Sequence, residues 1–295
     1  MSQIQNYYLG CPIWANKDWV GSLFTAKAKP KDYLRQYAQV FNSVEGSNTF
    51  YALPNKEQVL RWYSDTPSGF RFSFKFPQTI THIHKLHRTQ EEVTRFFKTM
   101  EPLQSLIGTY FIQLPPSFNR KGLPALKTFI QQLPKEFTYA AEVRHPDFFM
   151  NDETELHFNR LLEDNNINRA IFDTSSLHNI EAKDDITKEA QRKKPKMPER
   201  FVATAGHPFL RFCGHSLPPE NQERLTLIAG IVANWISEGK QPYLFIHTPG
   251  DELAPQTCRL FHQLLSKQIV SFPVGNIPPF PGEYAKDHLE QMSLF

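Results

Sequence analysis

The residues best suited to chemistry are two glutamates and two cations that close separate apolar segments. Glu45, Lys75, Glu142 and Arg144 each lie near the C-terminal end of such a segment. Two carboxylates from different strands can divide the roles of general acid and general base when their environments move their pKa values apart. A lysine and an arginine can neutralise an anionic group, and the planar guanidinium suits a phosphate or a carboxylate. These residue types predict acid/base catalysis on an anionic substrate, as in a hydrolase or a lyase.

Other polar and aromatic residues lie at or just beyond the ends of these segments. Asp173 joins the three predicted catalytic residues Glu45, Lys75 and Glu142. The predicted substrate-binding residues are Trp14, Asn48, Tyr51, His82, Gln113, Arg144, His145, Arg211, His215 and His247. We assign no residue to a metal and predict no cofactor. A divalent metal stays an alternative, because Asp, Glu and His are the ligand types of barrel hydrolases that cleave phosphodiesters.

The predicted strands and helices that must position these residues recur at regular intervals along the chain. Apolar segments that are typical of strands occupy 7–10, 42–47, 70–76, 109–114, 138–144, 170–173, 209–214 and 243–247. Segments with helical periodicity occupy 32–41, 90–107, 123–133, 153–164, 221–237 and 256–267. Eight strand-then-helix units predict an α/β fold, a closed (β/α)8 TIM-like barrel. An open doubly wound sheet usually has a Gly-rich phosphate turn after its first strand, and the turn GCPIW at 10–14 lacks that pattern.

Alternation along the strands sorts their side chains into two faces. In the third strand Phe70, Phe72, Phe74 and Phe76 share one face, which we expect to lie beneath the helices, and Lys75 shares the other. Polar strand ends would then converge inside the barrel at its catalytic end. An unpaired buried charge costs several kcal/mol, so these charges must pair, meet water or meet a ligand. A purely structural charge network is the alternative to an active site.

Three regions of the chain have different compositions. Residues 1–270 are predicted to form a single barrel domain, with a polar insertion at 175–207 between strands six and seven. An insertion at that place lies on the catalytic face, so it could act as a lid or as a basic substrate contact. A solvated surface excursion is the alternative. Residues 271–295 form a Pro-rich, extended C-terminal tail.

Composition excludes several classes of protein. The 295 residues include 40% hydrophobic residues and 25 Phe, enough for a large core. A net charge of +3 excludes a strongly basic nucleic-acid binder but permits a local basic site. Three widely spaced cysteines do not suggest a disulfide framework. No apolar stretch reaches membrane-spanning length and no signal peptide is evident, so we expect a cytoplasmic protein without membrane contact.

Several short motifs resemble the DUF72 (YecE-like) family of TIM-barrel proteins. They are EGSNTFY at 45–51, FKFP at 74–77 with ITH at 80–82, QLPPSF at 113–118, EVRH at 142–145, and Arg211 with Gly214. The chain departs from the family pattern at 46–48, at Cys213 and at 247–249. These departures leave Glu45, Lys75, Glu142 and Arg144 as the safest carry-overs. The resemblance implies a TIM barrel and supplies no reaction.

The last five residues, QMSLF, resemble the peptide by which bacterial DNA-processing proteins bind the replication sliding clamp. Leu294 and Phe295 would fill an apolar pocket while Gln291 hydrogen-bonds its rim. Three functions therefore stand at this point. The first is an enzyme acting on a small or nucleic-acid-linked anionic substrate. The second is a metal-dependent phosphodiesterase or nuclease in DNA repair, and the third is a non-catalytic clamp-associated binding protein.

Overall fold

A computed structural model describes residues 3–269 and 272–284, and eight parallel strands form its centre. The strands are β1 (Tyr8–Gly10), β2 (Ser43–Gly46), β3 (Arg71–Lys75), β4 (Ile107–Gln113), β5 (Tyr139–Glu142), β6 (Asn168–Asp173), β7 (Phe209–Cys213) and β8 (Tyr243–His247). Hydrogen-bonded neighbours follow the order β1-β8-β7-β6-β5-β4-β3-β2. The predicted (β/α)8 TIM-like barrel is therefore confirmed.

Helices alternate with these strands along the chain. They are α1 (Tyr33–Val40), α2 (Lys56–Asp65), α3 (Gln90–Met100), α4 (Leu123–Gln132), α5 (Glu153–Asp164), α6 (Ser175–Asn179), α7 (Asp185–Lys193), α8 (Gln222–Ser237) and α9 (Ala254–Gln268). Among the described residues, none of these helices is both long and apolar enough to cross a bilayer.

The barrel closes between β1 and β2 through side chains as well as backbone. Asn42 accepts a hydrogen bond from the backbone N–H of Leu9 at 2.8 Å and donates one to the carbonyl of Tyr7 at 2.9 Å. A Cβ atom at Gly10 would lie 2.0 Å from the carbonyl oxygen of Ser43. Glycine at this position therefore allows the two strands to approach closely.

The predicted alternation of side chains is seen in β3. Phe72 and Phe74 pack against Trp62 of α2, with ring centroids 6.5 and 5.6 Å apart, in the layer between strands and helices. Lys75 has the opposite parity, and its Nζ lies over the ring of Phe111 from β4 at 6.0 Å. The aromatic face thus packs beneath the helices and the polar face looks into the barrel.

Some element boundaries differ from the sequence prediction. The predicted helix 90–107 divides into α3 and a 3₁₀ turn, Glu101–Leu106, where Pro102 removes a backbone donor. Helix α2 was not predicted, and it begins at a capping box formed by Asn55 and Gln58. Strand β5 ends at Glu142, so Arg144 lies just beyond the strand rather than within it.

The segment between β6 and β7 is folded onto the C-terminal end of the barrel. The hydroxyl of Thr174 donates to the carbonyl of Pro195 and accepts from the backbone N–H of Met197, both at 3.0 Å. Farther along, Glu199 pairs with Arg224 of α8 at 3.1 Å. Helices α6 and α7 are therefore tied to the barrel at the end where the polar strand ends converge.

Candidate functional site

Arg211 of β7 is the centre of a buried charge network at the C-terminal end of the barrel. Its Nε and Nη2 donate to Oε2 and Oε1 of Glu45 at 2.7 and 3.0 Å, and its Nη1 donates to Oε2 of Glu142 at 2.7 Å. The guanidinium carbon lies 5.1 and 4.7 Å from the ring centroids of Phe111 and Phe172. One cation thus joins carboxylates from β2 and β5 across the barrel.

Both carboxylates accept further hydrogen bonds. Glu45 Oε1 accepts from the hydroxyl of Ser47 at 3.0 Å, and His247 Nε2 lies 3.3 Å from Oε2. Glu142 Oε1 accepts from Nε2 of Gln113 at 2.8 Å and from Nε of Arg144 at 2.7 Å. Each carboxylate is therefore held in place by several donors at once.

These contacts keep both carboxylates ionised. Burial alone would raise the pKa of Glu142, but the charges of Arg144 and Arg211 outweigh burial and lower it to about 2. Burial also opposes ionisation of Glu45, yet Arg211 and His247 hold its pKa well below the usual range. The two pKa values move in the same direction, so the carboxylates do not separate into an acid and a base. Their contacts suit them to positioning cations.

Lys75, at the end of β3, has a different environment. Its Nζ lies 4.0 Å from the centre of the Phe50 ring and has no hydrogen-bond or ion-pair partner among residues 3–269 and 272–284. Burial lowers its pKa to about 8, and the positive charges of Arg211 and Arg144 act in the same direction. The residue as a whole is 8% exposed. This amine can accept or donate a proton near neutral pH.

Arg144 and His82 complete the polar surface around Lys75. Only Nε of Arg144 donates to a described residue, so its two terminal nitrogens are available, and 19% of the side chain is exposed. His82 lies on a π-helical turn, Thr79–Ile83, with its ring 4.9 Å from Phe50. Burial, followed by the charges of Lys75 and Arg144, lowers the pKa of His82 to about 4, so its ring is neutral.

The sequence that forms this charge network matches a known protein family over most of its length. The sequence profile described as "Protein of unknown function DUF72" matches residues 8–280. The chain belongs to the DUF72 family. The UPF0759 protein YecE of Escherichia coli strain K12 is 40% identical over 288 residues, which cover 98% of this chain and 99% of that protein.

Solved DUF72 structures share the barrel. A DUF72 family protein of Thermotoga maritima superposes with a TM-score of 0.69 at 23% identity, covering 88% of this chain and 99% of that one. One from Enterococcus faecalis gives 0.65 at 18% identity, covering 92% and 98%. At these identities the likeness shows the fold alone.

Of the residues predicted for the site in this DUF72 barrel, seven meet in the network or beside it. They are Glu45, Lys75, Gln113, Glu142, Arg144, Arg211 and His247. Asp173 does not join them. Its Oδ2 accepts from Nε of Arg224 at 2.7 Å and its Oδ1 accepts from the backbone N–H of Ser175. Helix α8 supplies its partner, and the sequence pattern did not indicate that contact.

Three other predicted contacts lie at the margin of the site or outside it. Trp14 packs edge-on against Trp62 at 5.1 Å, in the layer beneath α2. It therefore lies away from the mouth, the C-terminal end of the barrel around Lys75, Arg144 and Arg211. Tyr51 is 76% exposed and packs edge-on against Phe50, so it can form a rim. Asn48 is also exposed, and its carbonyl caps the turn that carries Phe50.

The two remaining histidines belong to local structures. His145 Nδ1 accepts from the backbone N–H of Asp147 at 3.2 Å and caps the turn after β5. His215 is fully buried, and its Nδ1 accepts from the backbone N–H of Leu217 at 3.2 Å. His215 Nε2 is a buried nitrogen without a hydrogen-bond partner among the described residues.

Two residues at the mouth were missed as individual candidates. Asp251 follows β8 in a left-handed backbone conformation with φ of 55°, and burial raises its pKa to about 6. The positive charge of Lys194, from the segment after β6, acts on Asp251, on Cys213 and on His247. A strand-end pattern cannot indicate either residue, although Lys194 lies in the basic run of the predicted insertion.

The metal alternative has no preformed ligand set in the part of the chain that the structure describes. There, no three His, Cys, Asp or Glu side chains group closely enough to hold a metal ion. Glu45 and Glu142 are occupied by arginines, and Asp173 by Arg224. The predicted clamp-binding residues Gln291, Leu294 and Phe295 lie outside the described residues, so clamp binding stays a prediction.

A cleft lies at the opposite, N-terminal end of the barrel. It has a volume of about 330 Å³, and its lining includes Tyr8, Phe41, Asn42, Phe70 and Gln241. No charged side chain lines it among the residues described. At the C-terminal end, Lys75 has no hydrogen-bond or ion-pair partner among the described residues and Arg144 is partly exposed. Barrel enzymes keep their active sites at that end.

Proposed function

We propose that this DUF72 protein is an enzyme that binds a phosphate- or carboxylate-bearing substrate at the C-terminal mouth of the barrel and uses Lys75 for proton transfer. One observation carries the proposal. Lys75 Nζ and the terminal nitrogens of Arg144 have no hydrogen-bond or ion-pair partner among the described residues, although both neighbouring carboxylates accept several hydrogen bonds.

The charges around Lys75 favour an anion. Arg211, Arg144 and protonated Lys75 face Glu45 and Glu142, which leaves one net positive charge in a largely buried setting. His82 and His247 are neutral, because burial lowers the pKa of each to about 4. A buried charge excess is costly unless a ligand or water offsets it. An anionic group on Arg144 would supply the missing negative charge.

The reactive groups have separate tasks in this proposal. Arg144 offers its two terminal nitrogens as a fork that matches a phosphate or a carboxylate. Arg211 is not free for substrate, because all three of its donating nitrogens are bound to carboxylates. It therefore positions Glu45 and Glu142, which hold the mouth together. Lys75 remains as the group whose pKa, about 8, suits proton transfer near neutral pH.

Thermal unfolding with added anions tests the binding step. At constant ionic strength, inorganic phosphate or small carboxylates should raise the melting temperature of the wild type, because a ligand that binds only the folded state stabilises it. Arg144→Gln should remove the shift. Arg35→Gln is the matched control, since Arg35 is 64% exposed and pairs with Asp65 away from the site. Equal shifts in wild type and Arg144→Gln would refute binding at the mouth.

A further inference from the structure

We infer that Lys75 forms a covalent imine with an aldehyde or ketone carbonyl of the anionic substrate, so that the substrate class is an oxo-acid or a phosphorylated carbonyl compound. This inference rests on the proposed function and names the chemistry of the same site. It assigns Lys75 as a nucleophile rather than only as a proton carrier.

The position of the amine suits a nucleophile. Lys75 Nζ lies 4.0 Å from the ring centroid of Phe50, and the ring of Phe111, on the neighbouring strand β4, lies 6.0 Å away. No carboxylate lies within ion-pair distance of Nζ among the residues described, so none masks its lone pair. Apolar walls and neighbouring cations are the two environments that activate lysine for imine chemistry.

Charged or titratable groups act on Lys75 from four parts of the barrel. Glu45 comes from β2, Arg211 from β7, Glu142 and Arg144 from the end of β5, and His82 from the turn after β3. The two arginines favour the free amine and the two glutamates oppose it. Burial is the largest effect and lowers the pKa to about 8, which increases the fraction of free amine, the form that attacks a carbonyl carbon, near neutral pH.

The reaction balances without an added reagent. The lone pair of Nζ attacks the carbonyl carbon, and the carbon–oxygen π pair moves to oxygen. The proton lost from nitrogen and one further proton reach that oxygen, the carbon–oxygen bond breaks, and water leaves. Overall, one ammonium and one carbonyl give one protonated imine and one water.

Reductive trapping on the full chain tests the imine. The protein is treated with sodium cyanoborohydride and either pyruvate or dihydroxyacetone phosphate, which separates carboxylate from phosphate recognition. Peptide mapping should show Lys75 enlarged by the probe plus two hydrogens less one water. The exposed Lys98 serves as the internal reference for non-specific modification. Modification of Lys75 should exceed that of Lys98 by about tenfold or more at pH 7.5, since the free amine is more abundant.

Variants separate the imine from simple binding. Lys75→Arg keeps a cation and Lys75→Met keeps the stem, and both should abolish the adduct at this position. Arg144→Gln should lower its yield by about ten- to a hundredfold, because a charge-assisted hydrogen bond to the anion is lost. The pH dependence of trapping at Lys75 should have its midpoint near 8.

Two results would overturn the inference in distinguishable ways. Lactate and glycerol 3-phosphate are the carbonyl-free counterparts of the two probes. If they raise the melting temperature of the wild type but not of Arg144→Gln, while neither carbonyl probe modifies Lys75 above Lys98, the imine is wrong and the proposed anion site stands. If no probe affects melting and Lys75 is unmodified, both proposals fail.

Discussion

Replacing Arg211 by methionine gives the sharpest test of the network. Glu45 would lose two of its donors and keep Ser47 at 3.0 Å and His247, which is neutral in the wild type, at 3.3 Å. Glu142 would keep Arg144 and Gln113. The change therefore leaves one fully buried carboxylate without a cation within ion-pair distance. Breaking a buried ion pair in this way costs about 3–5 kcal/mol, and we expect Arg211→Met to lower the free energy of unfolding by that amount.

Equilibrium urea unfolding at pH 7 measures the effect, with Arg192→Met as the matched control. Arg192 is 74% exposed and pairs with Glu189 on α7, so its loss should change stability by about 0.5 kcal/mol or less. The double variant Arg211→Met/Glu45→Gln removes the unpaired charge and should recover most of the loss, which a double-mutant cycle reports. A loss below about 1 kcal/mol in Arg211→Met, or no recovery in the double variant, would refute the reasoning.

Other predictions follow from the same geometry. Glu142→Gln should be less stable than wild type at pH 7, and this difference in the free energy of unfolding should shrink as pH falls from 4.5 toward 2. The reason is that the stabilisation from a lowered carboxyl pKa is present above the unfolded pKa and lost below the folded pKa. A difference independent of pH in urea titrations would contradict the assigned pKa. Lys75→Met should raise the free energy of unfolding by about 1–3 kcal/mol below pH 8, since burial disfavours the ammonium. The gain should fade as pH rises toward 10.5, where the unfolded chain also loses the proton, and an unchanged or lower stability would contradict the lowered pKa of Lys75. Gly10→Ala should destabilise the barrel by about 3 kcal/mol or more, because the new Cβ atom would clash with the carbonyl oxygen of Ser43. A melting temperature equal to that of the wild type would argue against close packing between β1 and β2. In a pull-down with a bacterial sliding clamp, Leu294→Ala/Phe295→Ala should bind less than wild type, and equal binding would remove the clamp hypothesis.

Local pattern was enough to predict the barrel and the faces of its strands. A period of two places Phe72 and Phe74 on one side of β3 and Lys75 on the other, whatever the rest of the chain does. Parallel strands in a barrel also bring their C-terminal ends to one mouth, so Glu45, Glu142 and Arg211 were predicted to meet there. Boundaries were less predictable, because Pro102 and the turn after Glu142 end elements that apolar periodicity would continue.

Only the tertiary structure decided which charged residues pair at the mouth of the barrel. Arg211 lies 166 residues from Glu45 and 69 from Glu142 along the chain, and only barrel closure brings its guanidinium within 3.0 Å of both. The same packing pairs Asp173 with Arg224 of α8. It leaves Lys75 beside the Phe50 ring, without a hydrogen-bond or ion-pair partner among the described residues. Sequence determines which charges reach the barrel end. Distances of a few ångströms and the degree of burial decide which of them pair and which pKa values shift, because both Coulomb energy and desolvation depend on three-dimensional position.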